Sequence, residues 1–126
     1  VFSFDSFIQN TRKVTEEGYI AIILYKSSSD APNYQPLYQE SFVLIKAASL
    51  ESAKVKALAH GKNESVSYTN ENGETITWTL QLVLDVNSVL YNDIDSSEDV
   101  IDLYTRHFRN YNAYQSFEPL LYQEQL

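Results

Sequence analysis

The sequence predicts an α+β protein: an antiparallel sheet of about five strands with one main helix packed on a face. Three observations predict it. Residues Thr75 to Val86 alternate, with Ile76, Trp78, Leu80, Leu82, Leu84 and Val86 apolar between more polar neighbours. Asn72-Gly73 separates two strand-like runs and suits the positive φ angles of a tight hairpin turn. Ser49 to His60 reads as a capped helix between strands.

Taken in order, residues 1–17 contain Phe2, Phe4, Phe7 and Ile8 without a clean period, which predicts a short helix or irregular arm packed on the body. Tyr19 to Lys26 is apolar at nearly every position and reads as a central strand covered on both faces. Ser27 to Gln35 is a loop by composition, and Leu37 to Ala47 resumes strand character. There Phe42 and Leu44 share one face, Val43 and Ile45 the other. These two strands most simply form an antiparallel hairpin.

In the helix, the Ser49 hydroxyl can accept from a free N–H of the first turn, and Glu51 suits the positive end of the dipole. Leu50, Ala53, Ala57 and Leu58 form a narrow apolar stripe, with Gly61 expected just past the end as the residue free to adopt positive φ. Ser65 to Thr69 is a short strand, Thr75 to Val86 a long one with Trp78 as a core anchor facing the helix. Asn87 to Asp99 is a polar, acidic loop tethered by Val89, Leu90 and Ile94. Val100 to Phe108 reads as the last strand, and residues 109–126 as a short helix or extended arm. The order is β-β-α-β-β-β, and 126 residues form one domain with a body at 18–108 and arms at 1–17 and 109–126.

The block from Gly18 to Thr105 resembles the uncharacterised bacterial family known as domain of unknown function 4288. Its features stand here as GYIAIILY, ESFVLIKAASLESAKVKALAHG, SYTNENGETITWTLQLVLDVNSVL and VIDLYTR, the most specific being Tyr68 to Glu74 followed by Trp78 and Leu84-Asp85-Val86. Thr105-Arg106 stands where the family pattern has Ser-Arg, and Tyr19 opens the first strand as the pattern requires. The resemblance implies a helix-on-sheet fold and supplies no activity.

Charge is distributed unevenly. The net charge is −8; residues 1–62 carry +1, residues 63–105 carry −9 with no Lys or Arg, and residues 106–126 carry none. Such a surface repels phosphate backbones, which need cations to bind, and attracts basic proteins. There is no Cys, so disulfides and thiolate metal sites are impossible, and a reducing, cytoplasmic location is expected. The longest near-continuous apolar run, Tyr19 to Tyr25, is too short to span a bilayer.

Motifs with chemistry are weak. Asp93, Asp95, Ser97 and Asp99 match the odd positions of a calcium loop, but Glu98 stands where its Gly belongs and Tyr104 where its Glu belongs. His60 and His107 are the two histidines, and neither sits in a metal or nucleophile motif. Asn63-Glu64-Ser65 matches a glycosylation sequon that means nothing without secretion signals. The expectation is therefore no enzyme, no metal and no cofactor.

What remains is the acid-only segment. Its bland reading is solubility. Its functional reading is a docking face for a basic protein, most concretely an immunity protein that occludes the cationic active site of a nuclease toxin. Glu71, Glu74, Asp93, Asp95, Glu98, Asp99 and Asp102 would supply the charge, with Tyr91 and Tyr104 as anchors and Tyr68 interleaved among them. Two alternatives are a homodimer built through an exposed strand, and a small-ligand binder or enzyme with a pocket under the helix.

Overall fold

The computed structural model describes residues 16–89, 99–118 and 121. Its elements are β1 (Glu17–Ser29), β2 (Tyr38–Ala47), α1 (Leu50–Asn63), β3 (Val66–Thr69), β4 (Thr75–Ser88), β5 (Val100–Phe108) and α2 (Tyr111–Phe117). The strands form one sheet in the order β3-β4-β1-β2-β5, and every pairing is antiparallel. The expected α+β class holds. The arm calls at 1–15 and most of 119–126, and the tethers Leu90 and Ile94, lie outside the described residues.

β1 is the centre of the sheet because its side chains are apolar on both faces. Tyr19, Ala21, Ile23 and Tyr25 join Val43, Ile45, Ala47, Val83 and Val86 beneath Ala53 and Ala57 of α1. Leu24 faces the other way, into a cluster with Tyr38, Leu84 and Tyr114 of α2. Helices therefore cover both faces, α1 by its small-residue stripe and α2 by its tyrosines.

The N-terminus of α1 forms as expected, with the Ser49 hydroxyl accepting from Ser52 N at 3.1 Å. Its other end differs. The helix continues through Gly61 to Asn63 and is capped by Glu64. Gly61 is inside the helix because of packing: a Cβ there would stand 2.9 Å from Leu80 Cδ1. Side-chain volume, rather than positive φ, selects glycine at this position.

β4 departs from strict alternation. Its register with β1 shifts between Ile22 and Ile23 and again between Leu24 and Tyr25. Each extra residue reverses which face the following side chains take. Trp78 and Leu80 pack on the α1 face with Val83 and Val86, whereas Leu82 and Leu84 pack on the α2 face. The single apolar face expected for Thr75 to Val86 is thus two half-faces, and that is how one strand serves two cores.

These bulges also add local twist, and the sheet is curled. In a flat sheet β4 and β5 would stand about 14 Å apart, three spacings of roughly 4.8 Å. Here the rings of Trp78 on β4 and His107 on β5 meet edge to face with centroids 6.0 Å apart.

The β3–β4 hairpin turns where Asn-Gly predicted. Asn70 Oδ1 accepts from Asn72 N and Glu74 N, and Gly73 has φ 80°. A Cβ at Gly73 would meet nothing within 4 Å, so its cost is purely conformational. Gly73→Ala should lower stability by about 1 kcal/mol, read as a lower urea midpoint with an unchanged m-value.

Candidate functional site

The curl opens a concave mouth on the α1 face, where the last turn of α1 passes into β3. It is a cavity of about 290 Å³ lined by Tyr25, Gln39, Glu64, Val66, Tyr68 and Trp78. Glu64 arrives as the C-cap of α1, and Val66 and Tyr68 as the first and third residues of β3. Tyr25 and Gln39 pair across β1 and β2, and Trp78 pairs with Ser27 one inward-facing position further along. His107 stands at the rim: Nε2 lies 3.0 Å from Gln39 Oε1, and its ring touches Trp78. Outside the lining, His60 of α1 and Asp102 of β5 approach each other, with Nε2 3.9 Å from Oδ1, within ion-pair reach when the imidazole is protonated.

Tyr25 reports the electrostatics. Its residue is 3 % exposed, and burial first, then the charges of Glu64 and Asp102, raise its pKa far above the ordinary tyrosine value. Two carboxylates from distant parts of the sequence therefore act on the hydroxyl of one tyrosine. No Lys or Arg is among the residues that line the cavity.

The structure gathers only part of the predicted docking set. Asp102 is outside the cavity lining, on the same face through its pairing with Val43, and its charge reaches Tyr25. Glu71 and Glu74 stand at the β3–β4 turn, beyond the end of β3, with Glu74 Oε1 accepting from Asn70 Nδ2. Asp99 is at the opposite end of the sheet, bonded through its carbonyl to Lys46 N and paired with Lys56 Nζ at 3.3 Å. Asp30 accepts from Thr75 N beside the turn, and Gly18 pairs with Lys46. At about 3.3 Å per residue, the span from Gly18 to Asp30 separates the two groups by up to roughly 40 Å. Tyr104 is 59 % exposed but pairs with Phe42 on the α2 face, away from the mouth. Tyr91, Asp93, Asp95 and Glu98 lie outside the described residues. Among the described residues, no group of three or more metal-ligating side chains occurs, and no helix is long and apolar enough to cross a membrane.

Sequence reasoning missed Tyr25, Gln39, Glu64, Trp78 and His107 as a group. One signal was available: Gln39, Tyr25 and Trp78 fall on inward positions of adjacent strands. Placing His107 opposite Trp78 required knowing that β5 pairs with β2 and that the sheet curls.

The α2 face holds a second polar cluster. Glu40 is 3 % exposed. Its Oε1 accepts from Arg106 Nη2 at 2.7 Å and its Oε2 from the Tyr114 hydroxyl at 2.6 Å. One buried carboxylate thus ties β2 to β5 and α2. Tyr38 stacks on both Phe108 and Tyr111, and Phe108 stacks on Tyr114, which completes the attachment of α2. A shallow apolar cavity of about 260 Å³ beside Arg106 and Phe108 borders this cluster. The guanidinium there already serves Glu40, so the cluster is read as structural.

With this geometry in hand, the family model described as Domain of unknown function (DUF4288) matches residues 18–104. The chain is a member of the DUF4288 family. No curated protein and no solved structure matches it. The DUF4288 span includes every residue that lines the mouth, together with Asp102, whereas His107 at the rim, Arg106 and Tyr114 lie beyond it. The lining of the mouth therefore belongs to the DUF4288 domain itself, and the rim contact of His107 and the attachment of α2 are additions at its margin.

Burial, followed by the hydrogen bond to Glu40, also raises the Tyr114 pKa far above the ordinary range. Folded Tyr25 and Tyr114 hold their protons where unfolded tyrosines, near pH 10, release them. Their contribution is complete below about pH 10 and is lost as pH rises beyond it. Tyr114→Phe should cost about 2 kcal/mol at neutral pH through the lost bond to a carboxylate. It should also flatten the alkaline fall in stability, both read from urea unfolding at neutral pH and above pH 10.

Proposed function

We propose that this DUF4288 protein is a non-catalytic binding module for a basic protein, and that the acidic, aromatic mouth is the centre of its docking surface. The observation that carries the reading is a concavity lined by Glu64, Tyr25, Tyr68 and Trp78 and by no Lys or Arg, with the charge of Asp102 also acting on Tyr25. Fixed negative charge in a concave site steers cationic partners, and aromatic area holds them once they arrive. Val66 and Tyr68, 51 % and 49 % exposed, add apolar area at the rim. The most concrete partner is a nuclease toxin, whose cationic cleft for phosphates would be occluded by this surface. The chain would then act as its immunity protein in the cytoplasm.

A specific observation favours a second reading, a small-ligand site. The cavity lies beside the end of α1 and combines tyrosines with His107 at its rim. Its volume of about 290 Å³ falls at the lower limit of the roughly 300–1,000 Å³ typical of small-molecule pockets, and it is open to solvent. Pairing with a second copy through β5 is less favoured. The β2–β5 register shifts between Phe42 and Val43, and such a bulge interrupts an edge as a template for another strand.

Affinity capture from the native host, followed by calorimetry with the identified partner, tests the binding reading. The expected result is a cationic protein whose affinity falls with added salt and drops about tenfold or more when Glu64 and Asp102 are both changed to Lys. Recovery of no cationic protein, or an affinity indifferent to these reversals, would contradict it.

A further inference from the structure

We infer that the mouth is a receptor for one arginine side chain presented by the basic partner, an assignment that rests on the binding reading above. The starting point is Tyr25. Its residue is 3 % exposed and lines the cavity, and its hydroxyl makes no hydrogen bond among the described residues. No fully buried side-chain polar atom there lacks a partner, so this hydroxyl reaches the cavity, where an occupant can complete it.

The surrounding chemistry selects the occupant. Glu64 lines the same cavity, and the charge of Asp102 reaches it, so an anion is repelled. Guanidinium carries only donors, which match the Glu64 carboxylate and the Tyr25 hydroxyl oxygen as acceptors. Trp78 and Tyr68 offer aromatic faces, on which a planar guanidinium stacks and a compact ammonium does so less well. The half-exposed Val66 at the rim suits the aliphatic stem of a long cationic side chain. Size agrees: a cavity at the lower limit of drug-sized pockets is ample for a single side chain.

Trp78 is the one tryptophan of the chain, so tryptophan emission, excited selectively over the ten tyrosines, reports on this cavity. The full chain is titrated with N-acetyl-argininamide, with its lysine counterpart, and with the neutral citrulline isostere. The arginine probe should give a saturable change in emission, the lysine probe a weaker one, and the citrulline probe none. Glu64→Gln, isosteric at an exposed position, should weaken the arginine response about tenfold. Glu51→Gln, in the first turn of α1 at the other end of the helix, should leave it unchanged. No saturable response, an equal response to citrulline, or indifference to Glu64→Gln would overturn the assignment. A captured basic partner that binds Glu64→Gln as tightly as the parent would overturn it while leaving the binding reading intact. A specific arginine response with no cationic partner recovered would instead remove the protein-borne arginine and leave a site for small guanidinium compounds.

Discussion

The curl of the sheet is the constraint on which everything else depends. Two register shifts in the β1–β4 pairing let one strand feed two cores and bend the sheet over α1. Without that bend Trp78 and His107 would lie on strands separated by β1 and β2, out of reach of each other. With it, the end of α1, the start of β3 and the end of β5 surround one concavity. Gly61 belongs to the same arrangement, since its missing side chain lets α1 press against Leu80 just below the mouth.

The two faces of the sheet divide the labour. On the α2 side, buried Glu40 is satisfied twice, and the stacked rings of Tyr38, Phe108, Tyr111 and Tyr114 hold the terminal helix. A buried charge so fully engaged is a fastening, with little left over for a ligand. On the α1 side the polar groups open on the cavity. Among the described residues the Tyr25 hydroxyl makes no hydrogen bond, and Glu64 meets solvent. Unspent hydrogen-bonding capacity in a negatively charged recess is what a cationic partner would use.

Much of the architecture was legible in the sequence, because the signals were local. Ser49 capped its helix, Asn72-Gly73 turned its hairpin, and the apolar run at Tyr19 to Lys26 became the doubly covered central strand. The bulges in β4 were not legible. Leu82 and Leu84 fit an unbroken alternation in the sequence, and only pairing with β1 reveals the inserted residues. Gly61 misled for a related reason: glycine past a helix end and glycine at a tight packing contact look alike in one dimension.

A run of charge in the sequence does not say which of its members meet in space. The run of acidic residues between Asn63 and Thr105 is contiguous only in sequence. Folding sends Asp99 to Lys56 and the pair Glu71 and Glu74 to a hairpin tip, while among the described residues Glu64 lines the mouth and the charges of Glu64 and Asp102 act on Tyr25. Glu64 escaped notice because its importance comes from capping α1 beside β3, a tertiary fact.

The approach of β4 to β5 across two intervening strands can be measured directly in solution. A nuclear Overhauser spectrum of the full chain should show cross-peaks between the Trp78 indole and His107 ring protons, alongside those from Trp78 to β1. Their absence, with Trp78 seen only by its neighbours on β1 and β3, would mean that the sheet lies flatter, that the mouth does not form, and that the functional account built on it fails.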